Sequence, residues 1–292
     1  MTPTIPVALF AYSRPDHLAR VLACLRTNEV PLLCVFADGT KGAADAPAVA
    51  AVRRLLRAID WAEVRLVERT ENLGLGRNVL AGVAAVAAEH VAFVVWEDDL
   101  IAVPGTYAWL CAALRHYAGD ARVMSATAWT HPRVTPSGLG SQPYFDARAE
   151  CWVWGAWARS WRGMEETALA KLAAAGARGL AADAYGADLP VMARQEAHKN
   201  IWAVRWLYHH LQHGGLCLRP PWSMVEHIGF DLATNATAAA DWANRPLAVA
   251  PPIPTTWPAP QEQPDCRRLW RAANPGGWRL LWRRWRARQG RR

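Results

Sequence analysis

Three consecutive acids, Glu97-Asp98-Asp99, end the apolar run Val91-Ala92-Phe93-Val94-Val95-Trp96. Adjacent carboxylates repel one another unless a cation or a basic ligand neutralises them. A hard divalent ion, bridging from a carboxylate to a substrate phosphate, is the chemistry that best uses such a triplet. The valine-rich run before it does not alternate with polar residues, so it reads as a strand buried on both faces, as inside a parallel sheet. The acids then sit at the strand's C-terminal edge, where open α/β sheets bind ligands. The plain alternative is a strand end whose acids cap the next turn.

The residues before the triplet supply elements to position it. Residues 5–11 read as a first strand, and Leu18, Val21, Leu22 and Leu25, with Pro15 early in the first turn, as an amphipathic helix. A second strand at 32–37 ends on Asp38-Gly39, a helical stripe runs through Val49, Val52, Leu55, Leu56 and Ile59, and 64–67 reads as a third strand. Next comes Asn72-Leu73-Gly74-Leu75-Gly76-Arg77-Asn78, leading into a helix over 79–89. Backbone amides at such a helix start can approach phosphate closely, and Arg77 could add a charged contact. The segment lacks the third glycine of the dinucleotide fingerprint, which argues against a nicotinamide or flavin site; a tight loop is the plain reading. Strand and helix thus alternate over the first hundred residues, which predicts a parallel, doubly wound sheet.

Past the triplet, the spacing predicts a helix near 107–114, a strand at 123–128 and a Pro- and Gly-containing loop over 130–143. Trp152, Trp154, Trp157 and Trp161 then fall within ten residues, either as core or as a platform for sugar rings, with Gly155 allowing close approach. Helices follow near 164–180 and 200–208, and a late strand at 215–220. His209 and His213, four apart, suit either a zinc site or a polar surface, with no third ligand obvious nearby.

The 292 residues are 52% apolar, ample for a packed core and unlike a disordered chain. Ten arginines and no acid lie in 266–292, so of the net +8 the first 265 residues carry −2. The basic charge belongs to a tail, not to a nucleic-acid-binding surface spread over the fold. Six cysteines without tight pairing suit buried thiols in a reducing compartment. No signal-peptide pattern precedes the first strand-like segment, and Glu89 and His90 interrupt the longest apolar window, 79–96, so a cytoplasmic protein is expected. Seven prolines in 246–264 predict an extended linker. Trp278, Leu281, Trp282 and Trp285 lie at helical spacing among arginines, the pattern of a helix on an anionic membrane surface; a disordered tail or a nucleic-acid contact are its alternatives.

Taken in order, Phe10-Ala11-Tyr12-Ser13-Arg14-Pro15, Asp38, the 72–78 segment, Glu97-Asp98-Asp99 with Leu100 and Pro104, Trp154-Gly155-Ala156-Trp157, and the stretch from Arg219-Pro220 to His227-Ile228-Gly229-Phe230-Asp231 form a set. With that set the chain resembles GT-A glycosyltransferases, in particular bacterial family-2-like enzymes of surface-polysaccharide synthesis and, more distantly, N-acetylglucosaminyltransferase I. The resemblance implies a Rossmann-like α/β fold with a mostly parallel sheet and a basic amphipathic tail. Residues 1–245 would be the transferase domain, 1–100 its nucleotide-binding half and 101–245 its acceptor half, followed by the linker 246–264 and the tail 265–292.

Carried over, Asp99 would ligate Mn²⁺ or Mg²⁺ on the donor diphosphate, while Glu97 and Asp98 would contact ribose or donor sugar. Tyr12, Arg14, Asp38, Asn72, Gly74, Arg77 and Asn78 would line the nucleotide pocket, and Trp154, Gly155 and Trp157 an acceptor loop. Two departures stand out: Ala203 and Val204 follow Trp202 where relatives often carry an acid, and Asn235 replaces a usual histidine. The general base is therefore open, with Asp231 and Glu196 as candidates. The implied activity is transfer from a nucleotide sugar, a UDP-sugar above all, to a cell-surface or lipid-linked glycan at the inner membrane face. The alternatives are a nucleotidyltransferase making nucleotide sugars and a non-catalytic membrane-associated binding module.

Overall fold

The computed structural model describes residues 3–199, 201–230 and 248–276. The sequence readings of Asp231, Asn235 and the tryptophan stripe from 278 to 285 lie outside the described residues.

The first half alternates as its pattern predicts: β1 (Val7–Ala11), α1 (Pro15–Thr27), β2 (Leu32–Ala37), α2 (Ala46–Arg57), β3 (Glu63–Glu68), α3 (Leu75–Glu89) and β4 (Ala92–Glu97). Then come β5 (Leu100–Ala102), α4 (Thr106–His116), β6 (Val123–Thr127), β7 (Tyr144–Asp146), β8 (Trp154–Trp157) and α5 (Ala158–Trp161). The chain continues through α6 (Ala168–Ala177), α7 (Asp188–Lys199), α8 (Trp202–His213), β9 (Leu216–Arg219), β10 (Val225–His227) and α9 (Cys266–Ala273). One sheet has the order β3-β2-β1-β4-β8-β6-β9-β7, in which β8 and β7 run against the rest; β5 and β10 form a separate antiparallel pair.

Helices cover both faces, so the central strands have no polar side to show. In β1, Val7 and Leu9 enter the core layer under α1, α2 and α4, while Ala8 and Phe10 enter the layer under α3 and α5. Strand β4 repeats this, with Val94 and Trp96 on one side and Phe93 and Val95 on the other. Trp96 then fixes the turn that follows: fully buried, it donates from Nε1 to the Leu100 carbonyl at 2.8 Å, across the three acids.

The tryptophan-rich segment is where the structure departs most from the sugar-platform reading. Trp154, Gly155 and Trp157 lie in β8, paired between β4 and β6, and both indoles are essentially unexposed. Gly155 serves packing, because a Cβ there would come within 2.8 Å of Leu114 Cδ1 on α4. Just before β8, Val153 has φ +48°. For a β-branched residue that conformation costs about 1–3 kcal/mol. Its effect is to break the alternation: Trp154 packs among Phe93, Trp161 and Trp206, whereas Trp152 turns to the opposite layer beside Trp129, 4.9 Å away.

The proline-rich segment is extended, yet residues 248–264 lie against the body instead of hanging free. Trp257 stacks on His116 at 5.5 Å, Tyr117 donates to the Pro258 carbonyl at 2.7 Å, and Gln263 N–H donates to the Phe145 carbonyl at 2.9 Å. Helix α9 follows with its arginines outward and Trp270 buried, its Nε1 donating to Asp146 at 2.6 Å. No helix among the described residues is long and apolar enough to cross a membrane. All six cysteines are free, and five are buried.

Candidate functional site

Strands β2, β1 and β4 are parallel, so the loops after them meet at one edge, and the chain leaves β1 on either side of this point. Ligands bind at such a switch in open α/β sheets. Here a cleft of about 260 Å³ is lined by Tyr12 to Arg14 after β1, Asp38 and Lys41 after β2, Asn72, Gly74, Leu75 and Asn78 at the start of α3, and Glu97, Asp98 and Asp99 after β4. Every residue expected in the nucleotide pocket lines it except Arg77. That side chain is exposed on α3 and donates to the Leu73 carbonyl at 2.8 Å. Lys41, which the sequence reading passed over, joins the rim 5.2 Å from the Tyr12 ring centroid.

Asp38 has a different job from the one its position suggests. Its Oδ1 accepts from Gly39 N at 2.9 Å and Leu73 N at 2.8 Å; its Oδ2 accepts from Gly74 N at 3.0 Å and Asn72 Nδ2 at 3.2 Å. With two donors on each oxygen, the carboxylate is fully engaged. The anion held by the glycine loop ahead of α3 is thus the protein's own. Asp38 shapes the rim by tying the loop after β2 to the loop after β3. Gly39 permits the approach, since a Cβ would lie 2.4 Å from the Glu71 carbonyl carbon. Asn78 completes the lock, donating to the Phe36 carbonyl at 3.2 Å. Tyr12 hydrogen-bonds Asp45 through its hydroxyl, which draws Asp45 down to about 2, while burial and Asp45 push Tyr12 up to about 12.

The floor is electrostatically unbalanced. Asp98 and Asp99 are 9% and 8% exposed, and the arginine or lysine in contact among the described residues is Arg14, whose Nη1 lies 2.6 Å from Asp99 Oδ2. Asp98 Oδ2 accepts from Tyr12 N at 3.1 Å, while Asp99 Oδ1 is buried with no hydrogen-bond partner among the described residues. Burial, then the neighbouring Asp99 and Asp98 charges, pushes Glu97 well above the usual carboxylate range; burial and Asp99 push Asp98 up to about 7. A buried acceptor left unmade costs about 1–3 kcal/mol, more when charged, so its persistence calls for a cationic occupant.

The β5–β10 pair closes the far side of Asp99. Ile228 N–H donates to the Asp99 carbonyl at 2.8 Å, His17 Nε2 meets the Ile228 carbonyl at 3.1 Å, and His227 Nε2 lies 3.7 Å from Asp99 Oδ2. At Gly229 a Cβ would meet Asp99 Oδ2 at 2.4 Å and Arg14 Nη1 at 2.6 Å, so a larger residue there would have to displace the Arg14–Asp99 pair. Among the described residues no three His, Cys, Asp or Glu side chains converge to hold a metal alone. The donor set suits instead an ion that takes one carboxylate, from Asp99, and completes its shell with ligand phosphate and water, the usual habit of Mg²⁺.

The remaining predicted residues lie elsewhere. Glu196, on α7, pairs with Arg205 at 2.6 Å and accepts from Ala168 N at 2.8 Å, so it anchors the start of α6 and does not line the cleft. His209 is buried with its Nδ1 3.1 Å from Lys171 Nζ and its Nε2 at the Ser160 carbonyl, an arrangement that sets an ammonium where a zinc ligand would need a cation partner. The spacing of residues 150–152 carries no sign that they lie beside the acids after β4. Because β8 is antiparallel to β4, the segment before it returns beside the acids after β4. The Cys151 thiol registers this: burial, then the charges of Glu150 and Glu97, raise it far above its usual value.

No family model matches the sequence, and no curated protein is significantly similar to it. Among solved structures, a mannosyltransferase from Pyrobaculum calidifontis, in complex with GDP-mannose and Mn²⁺, superposes with a TM-score of 0.43 at 15% identity over 57% of this chain. The chain spans about half of that protein, 48% of its length. A UDP-glucose pyrophosphorylase from Acinetobacter baumannii gives 0.41 at 10% identity, over 79% of this chain and 90% of the other. Likenesses of this extent leave the reaction to the residues of this chain.

Proposed function

We propose that the chain is a metal-dependent glycosyltransferase that takes a nucleoside-diphosphate sugar in the β1–β4 cleft and passes the sugar to a cell-surface or lipid-linked glycan. The observation that carries this reading is Asp99 Oδ1, buried and unpartnered among the described residues, in a floor of three acids that Arg14 faces. Asp99 would hold Mn²⁺ or Mg²⁺ against the diphosphate, and the ion would neutralise the leaving group as a Lewis acid. Arg14 and Lys41 would add positive charge along the diphosphate, and Tyr12 and Asn72 would border the nucleoside. If transfer inverts the anomeric carbon, a carboxylate must deprotonate the acceptor hydroxyl. Glu196 is committed to Arg205, which leaves Asp231, directly after Phe230 in the chain. The Trp278–Trp285 stripe would dock the enzyme on an anionic membrane.

Thermal unfolding with UDP- and GDP-sugars, with and without Mn²⁺, tests this, because ligands that bind the folded state stabilise it by mass action. Stabilisation by a nucleotide sugar that depends on Mn²⁺, with release of the nucleoside diphosphate, is expected. Formation of a nucleoside triphosphate from nucleotide sugar and pyrophosphate would instead identify a nucleotidyltransferase, and binding without turnover a binding module. No stabilisation by any nucleotide sugar would overturn the reading altogether.

A further inference from the structure

Next to Asp99, outside the residues that line the cleft, three rings adjoin in sequence. Trp152 and His227 have centroids 4.9 Å apart at 53°, and His227 and Phe230 4.4 Å apart at 49°. All three are half-buried, and none lines the cleft. Trp129, buried, backs Trp152 edge-on at 4.9 Å. The row touches the acids directly, through His227 Nε2 at 3.7 Å from Asp99 Oδ2.

The backbone pays for this placement. Without the positive φ at Val153, strand alternation would carry Trp152 to the same face as Trp154, into the layer of Trp161 and Trp206. The kink holds a large indole partly in solvent, at the border of a site with an unsatisfied acceptor. Strain kept at such a border is a reason to look for a ligand. We infer that Trp152, His227 and Phe230 form a stacking wall for a pyranose ring at the diphosphate end of the cleft. This deepens the glycosyltransferase reading and rests on it for the position of the diphosphate. A pyranose offers an apolar C–H face to the aromatic rings and a hydroxyl at its edge to His227 Nε2, the mixture of contacts this border presents. The ring is that of the donor or of the acceptor, since both must meet at this point.

Two measurements on the full chain decide the matter. Saturation-transfer NMR uses methyl glucopyranoside, methyl mannopyranoside and methyl N-acetylglucosaminide, with uridine and guanosine as flat-ring controls. Calorimetry with Mn²⁺ compares UDP with UDP-glucose and GDP with GDP-mannose. In the wild type, either a glycoside receives magnetisation on its C–H face or a nucleotide sugar binds roughly tenfold tighter than its diphosphate. Trp152→Ala abolishes that signal while the affinity for the diphosphate stays within about twofold, and Trp152→Phe restores it. Loss in the glycoside arm assigns the wall to the acceptor, and loss of the nucleotide-sugar increment assigns it to the donor sugar. Should Trp152→Ala fail to fold, Phe230→Ala is judged by the same criteria. The wall is refuted by unchanged signals in the variant, by their absence in the wild type, or by Trp152-dependent signals for the nucleosides alone. Failure of UDP and GDP to bind the wild type, with glycoside signals that still need Trp152, would remove the glycosyltransferase reading and leave the wall.

Discussion

Two carboxylate clusters sit at strand ends of the same sheet and are treated in opposite ways. At the end of β7, Asp146 is fully buried, with Arg219 Nε 3.1 Å away, the Trp270 Nε1–H at 2.6 Å and the Arg148 N–H at 2.9 Å. Arg219 also approaches Glu150 at 3.6 Å, and Arg148 lies 4.0 Å over the Trp270 ring while pairing with Asp188 at 2.8 Å. At the end of β4, three acids share Arg14, and one oxygen of Asp99 has no partner. Buried charge is tolerated when paired and costly when not. The first cluster meets its acids with two arginines, although Arg219 Nε and Arg148 Nε make no well-formed hydrogen bond of their own; the second sets three acids against Arg14 among the described residues.

The contrast can be broken from the satisfied side first. Arg219→Ala should cost about 3–5 kcal/mol, the price of stripping a buried carboxylate of its partner; denaturant unfolding against wild type measures it, and a loss under about 1 kcal/mol would mean that Asp146 is not held by charge. Trp154→Ala should cost a comparable 3–5 kcal/mol or so by emptying the indole layer, without changing the affinity for nucleoside diphosphate, which titration of the folded variant checks.

Acid should attack the same half of the molecule. Burial holds His209 and His210 down at about 3, so the fold keeps them neutral while the unfolded chain protonates them near 6.5. The unfolded state therefore binds more protons between those values, and stability should fall as pH drops from about 6.5 toward 3, by up to about 1.4 kcal/mol per pH unit for each histidine. Unfolding followed from pH 8 to 4 should be flat above 7 in this respect. A His210→Gln variant that keeps the full acid slope would dismiss that histidine's share.

The cleft should respond the other way round. Asp99→Asn weakens the Arg14 pair but relieves the repulsion among the three acids, so its stability should stay within about 1 kcal/mol of wild type, while Mn²⁺-dependent stabilisation by nucleotide sugars disappears. A variant as unstable as Arg219→Ala would place Asp99 among the architectural acids. Smallest of all, removal of residues 277–292 should leave thermal unfolding unchanged and abolish co-sedimentation with phosphatidylglycerol vesicles. Equal vesicle binding with and without them would refute the membrane role.

How far the sequence reaches depends on whether the signal is local. The apolar runs of β1, β2 and β4 and the periodicity of α1 and α2 carry their own fold, because each is buried on faces that its own spacing declares. The cleft residues are legible for a related reason: parallel strands bring the ends of successive runs to one edge. Strand β8 is not legible, since four residues wedged antiparallel between β4 and β6 obey partners far away in the chain. The separation of Trp152 from Trp154 turns on one dihedral at Val153, which no spacing encodes. Asp38 looks like a ligand-binding acid because its four donors come from loops that meet only in three dimensions.

The proline-rich stretch and α9 have a consequence for how the protein comes into being. A ribosome delivers the chain from its N-terminus, so Asp146 and Arg219 emerge well before Trp270, and Trp109 and Tyr117 well before residues 257 and 258. Until residues 257–270 have emerged, the nascent domain carries an uncovered aromatic patch and a salt bridge lacking its indole. Termination between residues 230 and 270 would therefore yield a product that chaperones and proteases recognise as unfinished, even though every residue lining the cleft is already present.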